Sequence, residues 1–585
     1  MSRSNINKIN NKNLFIDKEN TAVLKGEVNN ITKYPNGNSY LIGNLSYIKL
    51  IESNSVNINN IPSKFLIKIY LSNKIIKKSK INIGDVVAVR VTIFPLQGQI
   101  MPGGYNFKKY LQMNNILSSA YGLRLMDLQE YSINNQVEKD NYSMMINVIQ
   151  KYINHSLIKI RRVINDLRNI IYARLSSNMS TVTARFLAAI LIGENKMVDS
   201  NVMNDIRNSG VSHILCVSGL HLSLVSFLVY QTIMFMLSIA SINYQQKKLY
   251  SGILSIIAGF LYLTLTDFGI AAVRAFIMAS VFIISMLIHR VQDNLRNLIF
   301  AAVILLLLYP EYLTHPSFQL SFIAVLSLIV SLNLPLYYQV NNQTFIDNIL
   351  NIKFLIKYLV GNSIIATILN IYSSIIIWFV TMPFVIYHFF SSCNYTILSN
   401  IIAVPMMVIV IMPLGIIALL LMPFGFETYI LRQLSFFIEI LINFTKYTAS
   451  LPYSVWYKGY LSSHSLIIFS LGIALLFFCK TKIKFSGLLI IFIAIILIFD
   501  VKTPAVIYNK ERNIKITYEE KESNKLSDKN FRKKILSIYS VNKLSKFEVD
   551  YIKSWYGFNN HAYNKENNII IKNIPTSPHY LNHHS

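Results

Sequence analysis

Arg274 is the residue whose position most needs a chemical explanation. It stands inside the apolar run LYLTLTDFGIAAVRAFIMA (Leu261–Ala279). A charge at the centre of a membrane-spanning helix costs at least about 2.5–3.5 kcal/mol on insertion scales, so such a cation faces a wet cavity or a partner. Two roles are open for it. It can line a polar path and attract phosphate oxygens, or it can be structural, pairing with Asp267 seven residues earlier or snorkelling to the interface. The stretch NSGVSHILCVSGLH (Asn208–His221) is the second candidate. Ser218 and Gly219 can open a helical ladder, and the freed backbone groups must then line a polar cavity or be buried in protein. His213 and His221 stand eight apart with Cys216 between them, but no acidic neighbour and no zinc spacing accompany them, so no metal and no cofactor are expected. An enzyme built on Ser218 and the two histidines would need an activated nucleophile beside a base. Gln319, Ser321 and Asn400 place amides and a hydroxyl inside apolar runs, where they either bond across helices or line a pore. His289 and Arg290 read as interfacial anchors, and Gly210, Pro383, Pro405 and Pro413 as structural kinks.

These residues need long apolar elements to hold them. Of the 585 residues, 53% are hydrophobic and 14% charged, and the mean hydropathy is +0.41, beyond the globular range. The apolar runs concentrate over 211–500. Ten candidate spans are read there, at 213–239, 250–266, 271–289, 297–310, 317–334, 363–390, 396–422, 428–447, 464–479 and 485–500. Lys247, Lys248, Arg290, Arg296, Lys480, Lys482 and Lys484 fall in alternate loops, which the positive-inside rule assigns to the cytoplasm. That orientation puts both ends of the chain outside. The first 20 residues are polar and contain no signal-peptide core. From 21 to 130, short β-rich runs with Asn/Gly/Pro/Ser punctuation predict a small OB-like barrel, and residues 1–130 together carry 17 Lys/Arg against 7 Asp/Glu. Residues 141–196 read as an amphipathic helical connector, lying on a membrane surface or simply solvated on its basic face. Residues 501–585 form a polar basic tail or small domain with two apolar patches. The three cysteines, Cys216, Cys393 and Cys479, lack CxxC spacing and read as buried hydrophobes. The net charge of +27 suits a polyanion or an anionic membrane surface, and it equally follows from an AT-rich, lysine-rich coding bias.

Several stretches in order resemble one family. NSGVSHILCVSGLH resembles the Ser-Gly…His…Ser-Gly-Leu-His motif of the ComEC-type competence proteins, a family of DNA-internalisation channels. FLAAILIGENKMV (Phe186–Val198), the Arg-Ala of the Arg274 run, YPEYLTHPSFQLSFIAV (Tyr309–Val325) and ILSNIIAVPMMVIVIMPLG (Ile397–Gly415) resemble further family segments, as does PLQGQIMPGGYNFKKYLQMNNI (Pro95–Ile116). The resemblance covers about residues 20–480. It implies a polytopic α-helical membrane protein of about ten spans with an N-terminal barrel, acting as an inner-membrane channel for single-stranded DNA in natural transformation. The implied pore or gate residues are His213, Ser218, Gly219, His221, Asp267, Arg274, Gln319, Ser321 and Asn400. The implied partners are single-stranded DNA, the lipid bilayer, an extracytoplasmic DNA receptor, cytoplasmic capturing or motor proteins, and a second copy in a homodimer. The alternatives are a small-solute permease or a degenerate remnant of the channel. Two departures matter. The family carries spans ahead of the barrel and this chain begins without them, which points to an upstream start or a shortened gene. The His-x-His-x-Asp-His cluster of the family's metallo-β-lactamase-like domain is missing among the 11 histidines, and His583–His584 does not replace it, so no nuclease is expected.

Overall fold

The computed structural model describes residues 20–50, 66–126, 144–332, 363–500 and 506–573, with short breaks inside these ranges. Cys216, Ser218, His289, Arg290 and the histidines at 583 and 584 lie outside the described residues. Strict alternation builds the first domain. In β3 (Leu66–Ser72), Ile67, Ile69 and Leu71 turn inward; in β4 (Val86–Phe94), Val87, Val89, Val91 and Ile93 do. With β1 (Asn20–Tyr34), β2 (Gly37–Leu50) and β5 (Ile116–Met126) they close a barrel in the order β1-β2-β3-β5-β4, with β4 pairing back on β1. Only β3–β5 is parallel. Two register shifts in β1 supply the coiling that closure of so small a barrel needs.

The connector begins with α1 (Met144–Asn178) and α2 (Thr181–Ile192), followed by α3 (Ser200–Asn208) and the single turn α4 (Ser212–Leu215). The apolar helices come next: α5 (Gly219–Ser238), α6 (Tyr244–Leu265), α7 (Ile270–Leu287), α8 (Asn294–Leu308), α9 (Pro316–Leu332), α10 (Ser363–Phe389), α11 (Thr396–Pro405), α12 (Met412–Leu421), α13 (Glu427–Ser450), α14 (Ser463–Phe478) and α15 (Lys484–Asp500). Among the described residues, five stretches are long and apolar enough to cross a membrane: His221–Ser238, Tyr244–Leu265, Ile270–Leu287, Ile371–Phe389 and Thr396–Phe424. Shorter apolar helices occupy Thr181–Ile192, Asn294–Leu308, Pro316–Ile329, Ser463–Phe477 and Phe485–Ile498. The membrane character is plain, while the count read from hydropathy, about ten, exceeds the helices that meet both criteria. Pro405 ends α11, and the chain continues through a π-helical segment, Met406–Ile411, into α12, where Pro413 occupies the first turn. There the lost amide and the ring clash are absorbed by a wider turn instead of a break. Pro383 sits inside α10, which continues past it. Gly210 is not a helix kink. It holds φ +81° in the turn between α3 and α4, where a side chain would overlap Thr396 at the head of α11.

Polar contacts fix the barrel to one end of these helices. Arg168 of α1 is buried, and its Nε donates to the Leu265 carbonyl at 2.8 Å and its Nη2 to the Thr264 carbonyl at 3.3 Å. A cation thereby satisfies orphan carbonyls at the C-terminus of α6. Gly193 ends α2 at φ +77°, packed on Thr266, and the Tyr262 hydroxyl donates to the Ile190 carbonyl at 3.0 Å. From the barrel, Lys33 bonds Asn169 of α1 and lies over the Tyr172 ring, and the Lys196 ammonium lies over Tyr34. The tail is a folded domain. Strands β6 (Val506–Asn509), β7 (Ile514–Glu522), β8 (Arg532–Ser540) and β9 (Asn568–Asn573) form a sheet ordered β9-β8-β7-β6, covered by α16 (Lys546–Trp555). Its core residues Ile516, Leu536, Ile552 and Trp555 are continuous with Ile100 and Met101 of the barrel's last crossover and with Phe390 at the end of α10. Barrel and tail therefore cap the same end of the helices. Cations gather at the opposite end of α6 and α7, where Lys248 Nζ donates to the Met286 carbonyl at 2.7 Å.

Candidate functional site

α7 starts after a two-residue left-handed turn, Asp267 at φ +62° and Phe268 at φ +53°. This turn determines what Arg274 can reach. The helical register that would bring Asp267 over Arg274 is broken, and Asp267 points outward with its side chain 68% exposed, 4.0 Å from Arg168. The Arg274–Asp267 pair, one of the two roles open from sequence, does not form, and the Asp267 carboxylate lies beside Arg168 at the barrel–bundle junction.

Arg274 itself is 6% exposed. Its Nε donates to Ser321 Oγ of α9 at 2.6 Å, Nη1 lies 3.4 Å from the Met278 sulfur, and the guanidinium stacks 5.6 Å from the Phe322 ring centroid. Among the described residues no carboxylate pairs with it. On its other side is Gly219, the first residue of α5, where a Cβ would come 3.2 Å from Arg274 Nη2. Two sources of positive potential thus meet, a guanidinium and the positive end of a helix dipole. Placing a cation at the positive end of a helix is unfavourable without an anion, and the pair together is an anion-attracting centre. Three separate stretches of sequence converge here: the Ser-Gly-Leu-His, the Arg-Ala and the Phe-Gln-Leu-Ser-Phe.

The histidines divide. His221, one turn into α5, is buried, whereas His213 on α4 is exposed between the buried Val211 and Ile214, within electrostatic reach of His221. Gln319 does not reach Arg274. It ties helix ends together, its Nε2 donating to the Leu313 carbonyl at 2.9 Å and its Oε1 lying 2.8 Å from His388 Nε2 at the end of α10. Asn400 stands apart in α11, and neither its Oδ1 nor the neighbouring Ser399 hydroxyl has a hydrogen-bond partner among the described residues. His388 and Phe322 escape sequence reading, because a histidine at the end of an apolar run looks like an interfacial residue until its partner is placed beside it.

A second polar region lies where the barrel meets the helices. Tyr34, Tyr70 and Tyr121 form a contiguous ladder on the outside of the barrel, with centroids 6.0 and 5.7 Å apart, flanked by Lys68 and Lys196. Beside it, burial pushes the Lys33 ammonium below its usual range, with Glu194 opposing the shift. Burial likewise raises the Glu194 carboxyl, against the pull of Lys33 and Arg168. Among the described residues no three His, Cys, Asp or Glu side chains are grouped as metal ligands.

Comparison with known proteins bears on the helical part. The chain is 24% identical over 231 residues to ComE operon protein 3 of Bacillus subtilis (strain 168), an alignment covering 40% of this chain and 25% of that protein. The chain thus matches about a quarter of that relative's length. No solved structure matches it. The profile of the family described as Competence protein matches residues 190–483, which include the Arg274 centre and every helix that touches it. That match takes in half of the sequence, and the chain belongs to this family, as a ComEC-type protein.

Proposed function

We propose that the chain is an inner-membrane channel that admits single-stranded DNA during natural transformation, with about ten crossings and the barrel and tail on the extracytoplasmic side. Arg274 carries the reading. A buried guanidinium set against a helix N-terminus, with no carboxylate among the described residues, attracts a passing phosphate and does not hold it by a permanent pair. A DNA strand is a phosphate polyanion, so passage needs cations and polar groups along the path and not base-specific contacts. The tyrosine ladder beside Lys68 and Lys196 supports the same reading, since stacking on aromatic rings is indifferent to base identity. The clustering of Lys247, Lys248, Arg296 and Lys482 away from the barrel supports the orientation. In this reading Ser321 and Gly219 position the guanidinium, while His213 and His221 sit at the mouth of α5. The partners are an extracytoplasmic DNA receptor, cytoplasmic capturing or motor proteins, and a second copy of the chain. No catalytic step is assigned.

Purified protein in liposomes, given a fluorescent single-stranded oligonucleotide, tests this. The native chain should take up the oligonucleotide, Arg274→Ala should lose uptake at least about tenfold, which corresponds to about 1.4 kcal/mol, and Arg274→Lys should retain part of it. Uptake of small neutral solutes in place of DNA would replace the channel with a permease.

A further inference from the structure

Among the described residues, no protein packs against one face of helix α1. Between its contacts with the barrel and with α6, Leu157, Ile160, Val163, Leu167 and Ile170 are all 47–59% exposed. These values match those on the outward faces of the crossing helices, such as Leu261 and Phe235 at 62% and 64%. The spacing of three and four residues collects all five on one stripe of the helix. The opposite face is committed to protein, with Asn165 and Arg168 buried, Arg168 on the end of α6, and Arg162 3.9 Å from Asp85 of the barrel. At about 100° per residue, Lys159 and Arg161 fall on the two borders of the apolar stripe, and both are exposed.

We infer that this face of α1 is seated in the bilayer interface and recognises an anionic lipid surface. Apolar side chains enter the acyl boundary while the bordering cations rise to the headgroups, the arrangement by which interfacial helices bind anionic membranes. Position supports the occupant. The buried side of the stripe is anchored by Arg168 to the carbonyls that end α6, so the helix lies at the level where a membrane-crossing helix emerges. The charge is complementary as well, since Lys159 and Arg161 flank the stripe and its one exposed acid, Asp166, lies on the far side of Lys159. The helix would thereby hold the barrel at a fixed height above the bilayer.

Spin labels at Ile160→Cys, Val163→Cys and Leu167→Cys, with Asp166→Cys as control, in the full chain with its native cysteines replaced by alanine, test this in nanodiscs. The discs contain phosphatidylcholine with or without phosphatidylglycerol. Labels at 160, 163 and 167 should respond to oxygen over an aqueous relaxant and report depths of about 5–10 Å, whereas the label at 166 should respond to the aqueous reagent. Adding phosphatidylglycerol should deepen the three labels, and Lys159→Gln with Arg161→Gln should abolish that difference. Aqueous accessibility at all four positions overturns the seating. Protection of the three labels from both reagents overturns it in favour of a protein partner or a second copy. Depths independent of phosphatidylglycerol overturn the anionic preference. Because every labelled side chain is exposed, the melting temperature of the same variants against the native chain reports whether the fold has survived.

Discussion

Two arginines, Arg168 and Arg274, are almost equally buried and treated in opposite ways by their surroundings. At the barrel–bundle junction Arg168 donates to two carbonyls and lies beside Asp267, and Glu194 is near it. In the helical interior Arg274 meets a hydroxyl, a thioether, an aromatic ring and a helix N-terminus. The first set satisfies the cation, and truncating such a group strands half-buried carbonyls. The second supplies no carboxylate among the described residues. A buried charge without a pairing acid costs stability, and it is this contrast with Arg168 on which the proposed role of Arg274 rests.

The sharpest way to break this comparison is to truncate both cations and measure uptake and thermal stability side by side. Arg274→Ala should abolish uptake and leave the melting temperature unchanged or raised. Arg168→Ala should lower stability by about 1–3 kcal/mol, the penalty of leaving half-buried acceptors unpaired, and should lose uptake only as the barrel loosens. If the two stability effects are equal, the distinction fails. Gly219→Ala comes next, since its methyl group would press on Arg274 Nη2 from 3.2 Å. Uptake should fall less than with Arg274→Ala, with stability changed by under about 1 kcal/mol.

The smallest effect belongs to Glu194. Burial holds its carboxyl above the ordinary value of 4.5. The folded chain therefore keeps a proton that the unfolded chain releases, and Glu194 subtracts stability as pH rises from about 4.5 through its raised value. Glu194→Gln should lessen the fall in melting temperature over that window. An unchanged pH profile would mean that Lys33 and Arg168 already compensate the carboxylate fully.

Much of this contrast was legible before any coordinates, though unevenly. Alternation in KFLIKIYL and DVVAVRVTIF announces barrel strands, because a buried face imposes a period of two on the sequence itself. Arg274 announces itself as one charge in an apolar run. Its partner does not. The nearest acid in sequence, Asp267, is removed by two positive-φ residues at the head of α7, and the actual contact, Ser321, comes from a helix 47 residues away. The tie between Gln319 and His388 spans 69 residues and is equally invisible to local pattern. The tail hides its fold for another reason: its strands are short and flanked by Lys and Asn, so composition reports the polar flanks while Leu536, Ile538 and Trp555 assemble the core.

That core has a consequence for how the molecule is made. Ile100 and Met101 pack with Ile552 and Trp555, partners separated by more than four hundred residues of chain. At about 5–20 residues per second, synthesis of the intervening helices takes on the order of tens of seconds. The barrel must wait through that interval with part of its apolar surface open, until the tail strands and their helix have been made. Closure of this shared core is thus a late event that can follow only when every helix between barrel and tail has been made.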